Sequence, residues 1–558
     1  MSHTRSPEEA LLFKLLRTLF ASPAPAEQAH ASSAEDLKQR GNAHFNAGQL
    51  DAAAACYRQA IALDPQLAAA YNNLAAVLQQ QGELEQARQH ATQAIVLAPN
   101  LSQAHFKLGE ITREQGDYAA SVAHFRHCLA LQADDEPSLL ALAHSLCLLG
   151  AHDEAEALLH DALLRQPQAL NLHYYLGNIY KERGAPQRAL AEYAWCLEQA
   201  PDLWPAQMNS GLACWELGDL GSARTWLQQA AADPTRTEAQ LALGELLLLQ
   251  GELEAGFALL EQRFESQQPA YRYIRETLPR LGGVPLWQGE ALAGRNLLLW
   301  AEQGLGDTLM MLRYLPELRR QGAGQLLVFC QPHVLRLIEA SGLADAVCSL
   351  AGQARAFAGS AHHYALHCPL MSLPQRLGSS NANIPANPPL QLPANLLASW
   401  QQRLAHLAGH KVGLVWAGNP QLKKDALRSI PLAHFSALAE VPGLQLISLQ
   451  KSEARAQIAD SGLPLHDWMD DCADMLDTAA LISQLDLVIS VDTSVAHLAG
   501  LLGKPVWLLN RHESEWRWQL ERQDSPWYPS MRIFRQHSVG DWHTTIKEVQ
   551  EALLAPTR

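Results

Sequence analysis

The chain has 558 residues, of which 48% are hydrophobic and 18% charged, and its net charge is −15. This length predicts about three or four globular domains, and an acidic chain without a long basic run excludes the usual nucleic-acid-binding surface. The nine cysteines are scattered and include no Cys-x-x-Cys pair, which indicates a reducing compartment, so we expect a cytoplasmic protein. No apolar run reaches about 18 residues, so no transmembrane segment is expected.

Residues 1–33 are predicted to form an N-terminal amphipathic helix and a linker. The helix is placed at residues 7–20, because Lys14 and Arg17 interrupt an apolar run and no secretory signal pattern is present. We expect this helix to dock on the first repeat or on a neighbouring chain, and the second case would give a homo-oligomer. The alternative is an anchor at a membrane surface.

A period of 34 residues runs through the first half of the chain. Glycine recurs at every 34th position from Gly48 to Gly218, and Gly251 follows after 33. Such a glycine lets the chain turn between two helices, and a proline begins several units where its missing N–H costs nothing. Small residues keep the same step, at Ala60, Ala94, Cys128, Ala162, Cys196 and Ala230. This pattern resembles the tetratricopeptide repeat, which implies an α superhelix of about seven helical hairpins over residues 34–270.

Stacked hairpins of this kind form a curved groove, which we interpret as a docking surface for a protein acceptor rather than as a spacer. In O-GlcNAc transferase, a similar array carries asparagines at one inner-face position of each repeat, and they clamp the peptide backbone. The sixth position of six successive repeats reads here Gln39, Asn73, Lys107, Ala141, Tyr175 and Asn209. The asparagine ladder is therefore mostly absent, and we expect side chains to read the docked protein.

The second half of the chain alternates strand-like apolar runs with helical stretches. The runs cover residues 296–300, 325–329, 411–416, 444–449, 485–491 and 505–509. This alternation predicts parallel sheets with right-handed crossovers. A proline-rich connector separates a lobe at 278–395 from a second lobe at 408–558. Two such lobes resemble the GT-B fold of glycosyltransferases, which implies a nucleotide at the carboxyl ends of the strands, in the second lobe, and an acceptor in the first.

The first lobe begins with Leu-Leu-Leu-Trp-Ala-Glu-Gln-Gly-Leu-Gly-Asp at residues 297–307. A buried strand here enters a glycine-rich turn and then a helix start, where anions are favoured. The motif resembles the first loop of the heptosyltransferase-like glycosyltransferases of family 9. The resemblance implies that Asp307 is the general base of an inverting transfer and that Gly306 lies at the donor. The alternative for Asp307 is a helix N-cap.

The second lobe begins with a strand at 412–416 and a glycine-containing loop, and cations follow it. Family 9 enzymes hold the donor diphosphate with a lysine in a similar context. Arg428 stands in that place here, and its guanidinium can bind phosphate through two hydrogen bonds. At least one of Lys423 and Lys424 is interpreted as a solvated loop charge. Further predicted donor-binding residues are Asn419 and Gln450, and Trp416 is a candidate for contact with the base or sugar.

The most specific motif of this half is Asp492-Thr493-Ser494-x-x-His497. A buried strand ends at the aspartate, and the next helix start offers N–H and hydroxyl groups to a diphosphate. Family 9 enzymes carry a similar pattern, so the resemblance implies that all four residues bind the donor. The alternatives are an N-cap for the aspartate and a core role for the histidine. Trp516 and Trp518, in a block typical of bacterial repeat-fused glycosyltransferases, either contact base or sugar or simply pack.

The chain contains no Asp-x-Asp, P-loop or Cys/His metal constellation. Nucleotide-sugar enzymes that use a divalent metal usually need such carboxylates, so we expect no metal and no cofactor besides the nucleotide-sugar donor. The leading hypothesis is an inverting, metal-independent glycosyltransferase that modifies a protein docked by the repeats. One alternative is a glycosyltransferase that acts on a glycan or lipid precursor. Another is a non-catalytic repeat scaffold with a nucleotide-binding lobe pair. The sugar and the nucleotide stay open.

Overall fold

A computed structural model describes residues 33–349, 363–422 and 425–555. The predicted helix at 7–20, Lys423 and Lys424 lie outside these described residues. Contacts divide the chain into two compact units, each of which is described by itself. The repeat unit comprises residues up to Ala239 together with Gln267–Pro269, and the second unit comprises Gln240–Ser266 and Ala270–Arg558.

Seven helical hairpins follow one another in the described chain from Ala34 to Leu260. The first helix of each hairpin has 13 residues, and the second has 14 in the first five hairpins. From Gln240 onward the last hairpin belongs to the second unit. The helices are α1 (Ala34–Asn46), α2 (Leu50–Leu63), α3 (Ala68–Gln80), α4 (Leu84–Leu97), α5 (Ser102–Glu114), α6 (Tyr118–Leu131), α7 (Glu136–Leu148), α8 (His152–Arg165), α9 (Leu170–Glu182), α10 (Pro186–Gln199), α11 (Trp204–Glu216), α12 (Leu220–Ala230), α13 (Thr237–Leu249) and α14 (Leu253–Leu260).

The periodic glycines and small residues explain these hairpins. Each glycine from Gly48 to Gly251 in the period has a φ between 67° and 86°, a left-handed conformation that ends a helix and favours glycine. The small residues of the second helices, from Ala60 to Ala230, have no exposed surface, so the helices approach closely there. The predicted tetratricopeptide-type superhelix is confirmed for the repeat unit.

The second unit continues with a four-stranded parallel sheet. Its strand order is β3-β2-β1-β4, and β1, β2 and β4 are buried along their whole length. The elements of this part are α15 (Arg272–Thr277), β1 (Leu297–Trp300), α16 (Leu305–Met311), α17 (Leu315–Arg320), β2 (Leu326–Cys330), α18 (Pro332–Ser341), β3 (Ala346–Ser349), β4 (Leu366–Pro369), α19 (Leu373–Arg376) and α20 (Ala394–Leu404). The proline-rich stretch at 384–393 has neither helix nor strand.

A six-stranded parallel sheet follows, with the order β10-β9-β8-β5-β6-β7. Its elements are β5 (His410–Val415), α21 (Asp425–Arg428), β6 (Leu444–Ser448), α22 (Ile458–Ser461), β7 (Leu465–Asp467), α23 (Met475–Ile482), β8 (Leu487–Val491), α24 (Ser494–Leu501), β9 (Val506–Asn510), β10 (Met531–Arg535) and α25 (Trp542–Leu554). Short 3-10 helices cover Glu261–Phe264, Pro269–Tyr271, Leu278–Leu281, Leu312–Tyr314, Leu370–Ser372, Leu432–Glu440, Glu453–Gln457, Met469–Asp471 and Trp516–Trp518.

All six predicted strands are present, and their ends agree within two residues. The parallel sheets confirm an α/β architecture for this part of the chain. Four strands, β3, β4, β7 and β10, were not predicted, and the first three of these have only three or four residues. In both sheets the strand order reverses on either side of the first strand, between β1 and β4 and between β5 and β8. Such switch points open a crevice at the carboxyl ends of the strands, where α/β proteins bind ligands.

Candidate functional site

The candidate site lies where the loops after β1, β5 and β8 meet. Helices α16 and α24 approach each other closely there, because a Cβ atom built on Gly306 would lie 2.7 Å from Cδ2 of His497. A side chain at Gly306 would therefore push the imidazole away. This contact brings the glycine motif of the first sheet next to the Asp-Thr-Ser motif of the second.

Asp307 is the third residue of α16, and Gly304 occupies the N-cap position. The N-cap alternative for Asp307 is therefore wrong. Its carboxylate oxygen Oδ1 accepts hydrogen bonds from Nε of Arg517, at 2.9 Å, and from Nη2 of the same residue. The side chain is 13% exposed, so the carboxylate is largely buried but keeps some accessible surface.

Arg517 is a site residue inside the tryptophan-rich block, and its pairing with Asp307 was not predicted from the sequence. Its Nη1 lies 3.6 Å from Oε2 of Glu515, and its guanidinium carbon lies 4.4 Å from the ring centre of Trp516. Burial acts to lower the pKa of Arg517, but Asp307 and Glu515 outweigh it and raise that pKa. The guanidinium therefore stays charged beside two carboxylates. The only signal in the sequence was an arginine inside a tryptophan-rich block.

Arg428 connects the loop after β5 with the end of β8. Its Nε donates to Oδ1 of Asp425 at 2.9 Å, and its Nη1 donates to the main-chain oxygen of Asp492 at 2.8 Å. A Cβ atom on Gly418 would lie 2.2 Å from Asp425 and 2.6 Å from Arg428, so this glycine leaves room for the pair. These contacts fix the guanidinium of Arg428 at the switch point of the second sheet.

Asp492 directly follows β8, beside the guanidinium of Arg428. Burial raises the pKa of its carboxyl group, and Glu515 adds to the increase, while Arg517 and Arg428 oppose it. Thr493 occupies the N-cap position of α24, but its hydroxyl contacts Oγ of Ser490 at 3.1 Å and caps no N–H group. Ser494 is the first residue of the helix. The helix start is therefore partly exposed and has no side-chain cap, which suits an anion.

His497 is a core residue. Its Nδ1 lies 3.0 Å from the hydroxyl of Tyr528, its ring packs against Trp518, and it is 3% exposed. Burial, with help from Arg517 and Arg313, lowers the pKa of His497 well below its usual value. We therefore correct the prediction of a phosphate-binding histidine, because the imidazole is neutral and its surface is covered.

Three further predicted ligand contacts are packing contacts. Trp416 and Trp518 have no exposed surface, so neither side chain reaches a ligand. Gln450 is 3% exposed, and its Oε1 accepts the N–H groups of Trp416 and Ala417 at 3.1 and 3.0 Å. This glutamine shapes the loop after β5 and leaves no free oxygen for a donor. The physical reason is common to all three, since each side chain points into the core.

The other two predicted residues lie nearer to the surface. Asn419 is exposed in the loop after β5, and its Oδ1 accepts the N–H of Gln421 at 3.1 Å. Trp516 is half-buried, with its ring 5.5 Å from that of Phe257 and 6.1 Å from that of Trp527. Both side chains therefore keep accessible surface.

A buried ionic cluster lies behind the loop that carries Asp307. Arg263, from the end of the last hairpin, donates to Oε1 of Glu302 at 2.9 Å and to Oγ of Ser372 at 2.7 Å. The same Glu302 oxygen accepts the N–H of Met371 at 3.2 Å. Burial raises the pKa of Glu302 to about 7, although Arg263 opposes this. The cluster joins the last hairpin to the loops after β1 and β4.

Comparisons with known proteins cover the two halves unequally. The sequence profile described as "TPR repeat" matches residues 41–82, and three described as "tetratricopeptide repeat" match residues 66–134, 113–179 and 182–237. The chain therefore carries tetratricopeptide repeats, which support a protein-interaction scaffold. Within the described residues, no helix combines the length and the apolar character that crossing a membrane requires.

The chain is also similar to Protein FlbA of Caulobacter vibrioides, with 28% identity over 456 residues, 77% of this chain and 74% of FlbA. This match is longer than the repeat half, so it extends into the α/β part. A tetratricopeptide repeat protein from Parabacteroides merdae covers 44% of this chain and 97% of its own, with 17% identity and a TM-score of 0.39. A thermophilic TPR protein of Thermus thermophilus covers 32% and 98%, with 23% identity and a TM-score of 0.28.

Proposed function

We propose that the second unit is an inverting, metal-independent glycosyltransferase of the GT-B type, which moves a sugar from a nucleotide sugar to a protein docked by the repeats. The observation behind this proposal is the meeting of two cations at Asp492. Arg517, which pairs with Asp307, and Arg428 both act on Asp492, just before the uncapped start of α24 and at the carboxyl ends of the strands. A carboxylate and two cations at this place match the needs of a reaction with a diphosphate leaving group.

The cations and the helix start supply the grip on the donor. Arg428 and Arg517 would bind the diphosphate oxygens, and the N–H groups at Ser494 would add the positive end of the helix. Negative charge develops on these oxygens as the bond from sugar to phosphate breaks. Fixed cations at that point stabilise the transition state without a metal ion.

Asp307 would act as the general base. It takes the proton of the acceptor hydroxyl while that oxygen forms a bond to the anomeric carbon, and the nucleoside diphosphate leaves from the opposite face. The single displacement inverts the configuration at this carbon. Arg517 keeps the carboxylate of Asp307 in place before the substrates arrive, and the donor phosphates would compete for the same guanidinium.

The acceptor is proposed to be a protein, because the chain devotes its first half to tetratricopeptide repeats. The scattered cysteines support a cytoplasmic site of reaction. The pairing of Asp307 with Arg517 favours a second candidate, in which the lobes bind a nucleotide but catalyse nothing. In that case the ion pair would only fasten the two sheets together.

The first experiment screens nucleotide sugars by thermal shift and then measures transfer. Binding to the folded protein raises its melting temperature by mass action. We expect one nucleotide sugar to stabilise the full chain and Asp307→Asn to lower transfer by about 100-fold or more, since a general base contributes 10²–10⁴-fold. The donor-induced shift of this isosteric variant should be at least as large as that of the wild type, because a neutral amide competes less than the carboxylate with the donor phosphates for Arg517.

Asp345→Asn is the matched control. Asp345 also pairs with an arginine, Arg319, but it lies beside the amino end of β3, at the opposite edge of the same sheet. Its variant should transfer sugar at the wild-type rate. Full turnover of Asp307→Asn would refute the base, and a donor shift without transfer or hydrolysis in the wild type would establish the non-catalytic candidate.

A further inference from the structure

A cysteine, a histidine and a glutamate meet at the junction of the fourth and fifth hairpins. Cys147 lies near the end of α7, His152 begins α8, and Glu182 ends α9. One possible ligand atom from each side chain lies within 4.8 Å of the other two. The first two residues flank one turn, whereas the third comes from the next hairpin, so no spacing in the sequence revealed the group.

The imidazole of His152 provides a second observation that points to a ligand. Its Nδ1 is buried and has no hydrogen-bond partner among the described residues. A buried polar atom without a partner destabilises a fold, and native structures usually avoid it. A neutral imidazole nitrogen has a lone pair, and a bound cation would satisfy it.

The repeats provide an internal comparison. The residues 34 positions before the three ligands are Arg113, Tyr118 and Leu148, and those 34 positions after them are Lys181, Pro186 and Glu216. The neighbouring hairpins form the same turns with these residues. The thiol and the imidazole are therefore not required by the packing of the repeat, and their meeting at one junction needs another explanation.

Adjacent turns are already joined by polar contacts at the equivalent place. Arg183 pairs with Asp153 at 2.8 Å beside the group, and Gln81 donates to Asp51 at 2.8 Å between the first two hairpins. A cation would add a second link at the one junction that has suitable ligands among the described residues. We propose that Cys147, His152 and Glu182 form a binding site for a thiophilic divalent cation, Zn²⁺.

The ligand set determines which cation fits. Thiolate and imidazole are preferred by Zn²⁺, whereas Mg²⁺ and Ca²⁺ prefer oxygen ligands. Three protein ligands leave a fourth tetrahedral position for water or for a side chain of a docked protein. The thiol loses its proton when the metal binds, so affinity rises with pH. The site lies in the repeat unit and does not depend on the proposed transferase activity.

The test titrates Zn²⁺ into the chelator-treated full chain and its variants. We expect one Zn²⁺ per chain in the wild type, with Mg²⁺ unable to displace it. Cys147→Ser and His152→Asn should each weaken Zn²⁺ binding by at least about tenfold. Mutation of residues that only support metal ligands already weakens metal binding by about this factor, and loss of a ligand should cost no less. Glu216→Gln, at the equivalent position of the next hairpin, should bind Zn²⁺ like the wild type.

Co²⁺ identifies the thiolate directly. It should give a near-ultraviolet sulfur-to-metal absorption that Cys147→Ser abolishes and Cys214→Ser retains. Circular dichroism of each variant without metal shows whether the hairpins remain folded. Wild-type chain without bound Zn²⁺, or equal binding by Cys147→Ser, would overturn the proposal.

Discussion

Gly306 and His497 define the site at the scale of single residues. The missing side chain of Gly306 admits the imidazole, and the imidazole in turn contacts Tyr528. In the sequence, His497 looks like a polar ligand-binding residue, but in the structure it packs in the core. Its neighbours Arg517 and Arg313 make protonation still less favourable than burial alone would.

The neutral state of His497 predicts how stability depends on pH. Its pKa is depressed in the folded chain, so the unfolded chain binds more protons below its ordinary value of about 6.5, and stability is lost as pH falls from there. Between pH 7.5 and 5.5 this one group should cost about 1.4 kcal/mol. The free energy of unfolding is measured at pH 7.5 and 5.5 by urea unfolding, followed by tryptophan fluorescence. Between these two values, the wild type should lose about 1.4 kcal/mol more than His497→Asn. A parallel decline of both proteins would contradict a neutral buried imidazole.

The ionic cluster around Arg263 acts at the scale of elements. It connects the end of the last hairpin with the loops after β1 and β4, and both charged partners have fully buried side chains. A buried pair of this kind is costly to break, because removal of one partner leaves an uncompensated charge. The last hairpin is therefore part of the support of the loop that carries Asp307.

A double-mutant cycle measures this coupling. Arg263→Met and Glu302→Met should each lower the free energy of unfolding of the second unit by about 3–5 kcal/mol, whereas the double variant should regain most of that loss. Glu261 keeps Arg376 as a partner in the double variant. Urea unfolding of the four proteins gives the coupling energy. Additive losses would show that the two side chains do not act as a pair.

Local patterns explain which elements were predictable. The glycine column predicts the hairpins because a left-handed turn is a local requirement, and long apolar runs predict the central strands. Short strands such as β3 and β7 lack such a signal. The contact between Asp307 and Arg517 joins residues 210 positions apart, and the burial of His497 depends on a glycine in another element. Such features follow from tertiary packing and have no local signal. The motifs therefore identified the loops of the crevice, but they assigned ligand contacts to Trp416, Gln450, Trp518 and His497, whose side chains are buried in the core.

At the scale of the whole molecule, a repeat unit and an α/β unit share one chain, and the proposal assigns docking to one and chemistry to the other. Three of the positions that would carry an asparagine ladder, Asn73, Lys107 and Asn209, are engaged within the repeat unit. Nδ2 of Asn73 donates to Asn42 at 2.8 Å, and Nζ of Lys107 donates to Gln79 at 3.0 Å. Any docked protein would therefore meet a preformed polar network rather than free amides.

This network predicts that mutations in the repeat unit change the use of a protein acceptor but not the chemistry in the second unit. If the repeats dock the acceptor, Asn73→Ala combined with Lys107→Ala should lower kcat/KM for a protein acceptor by about tenfold or more, the usual scale of a binding hot spot. Transfer to a small acceptor and hydrolysis of the donor should not change, because the crevice is intact. Glu85→Ala with Arg88→Ala, an exposed pair on α4, is the matched control and should leave all three rates unaltered. Equal turnover of the protein acceptor by both double variants would show that these inner-face positions do not dock it, and would favour a glycan or lipid precursor as the acceptor.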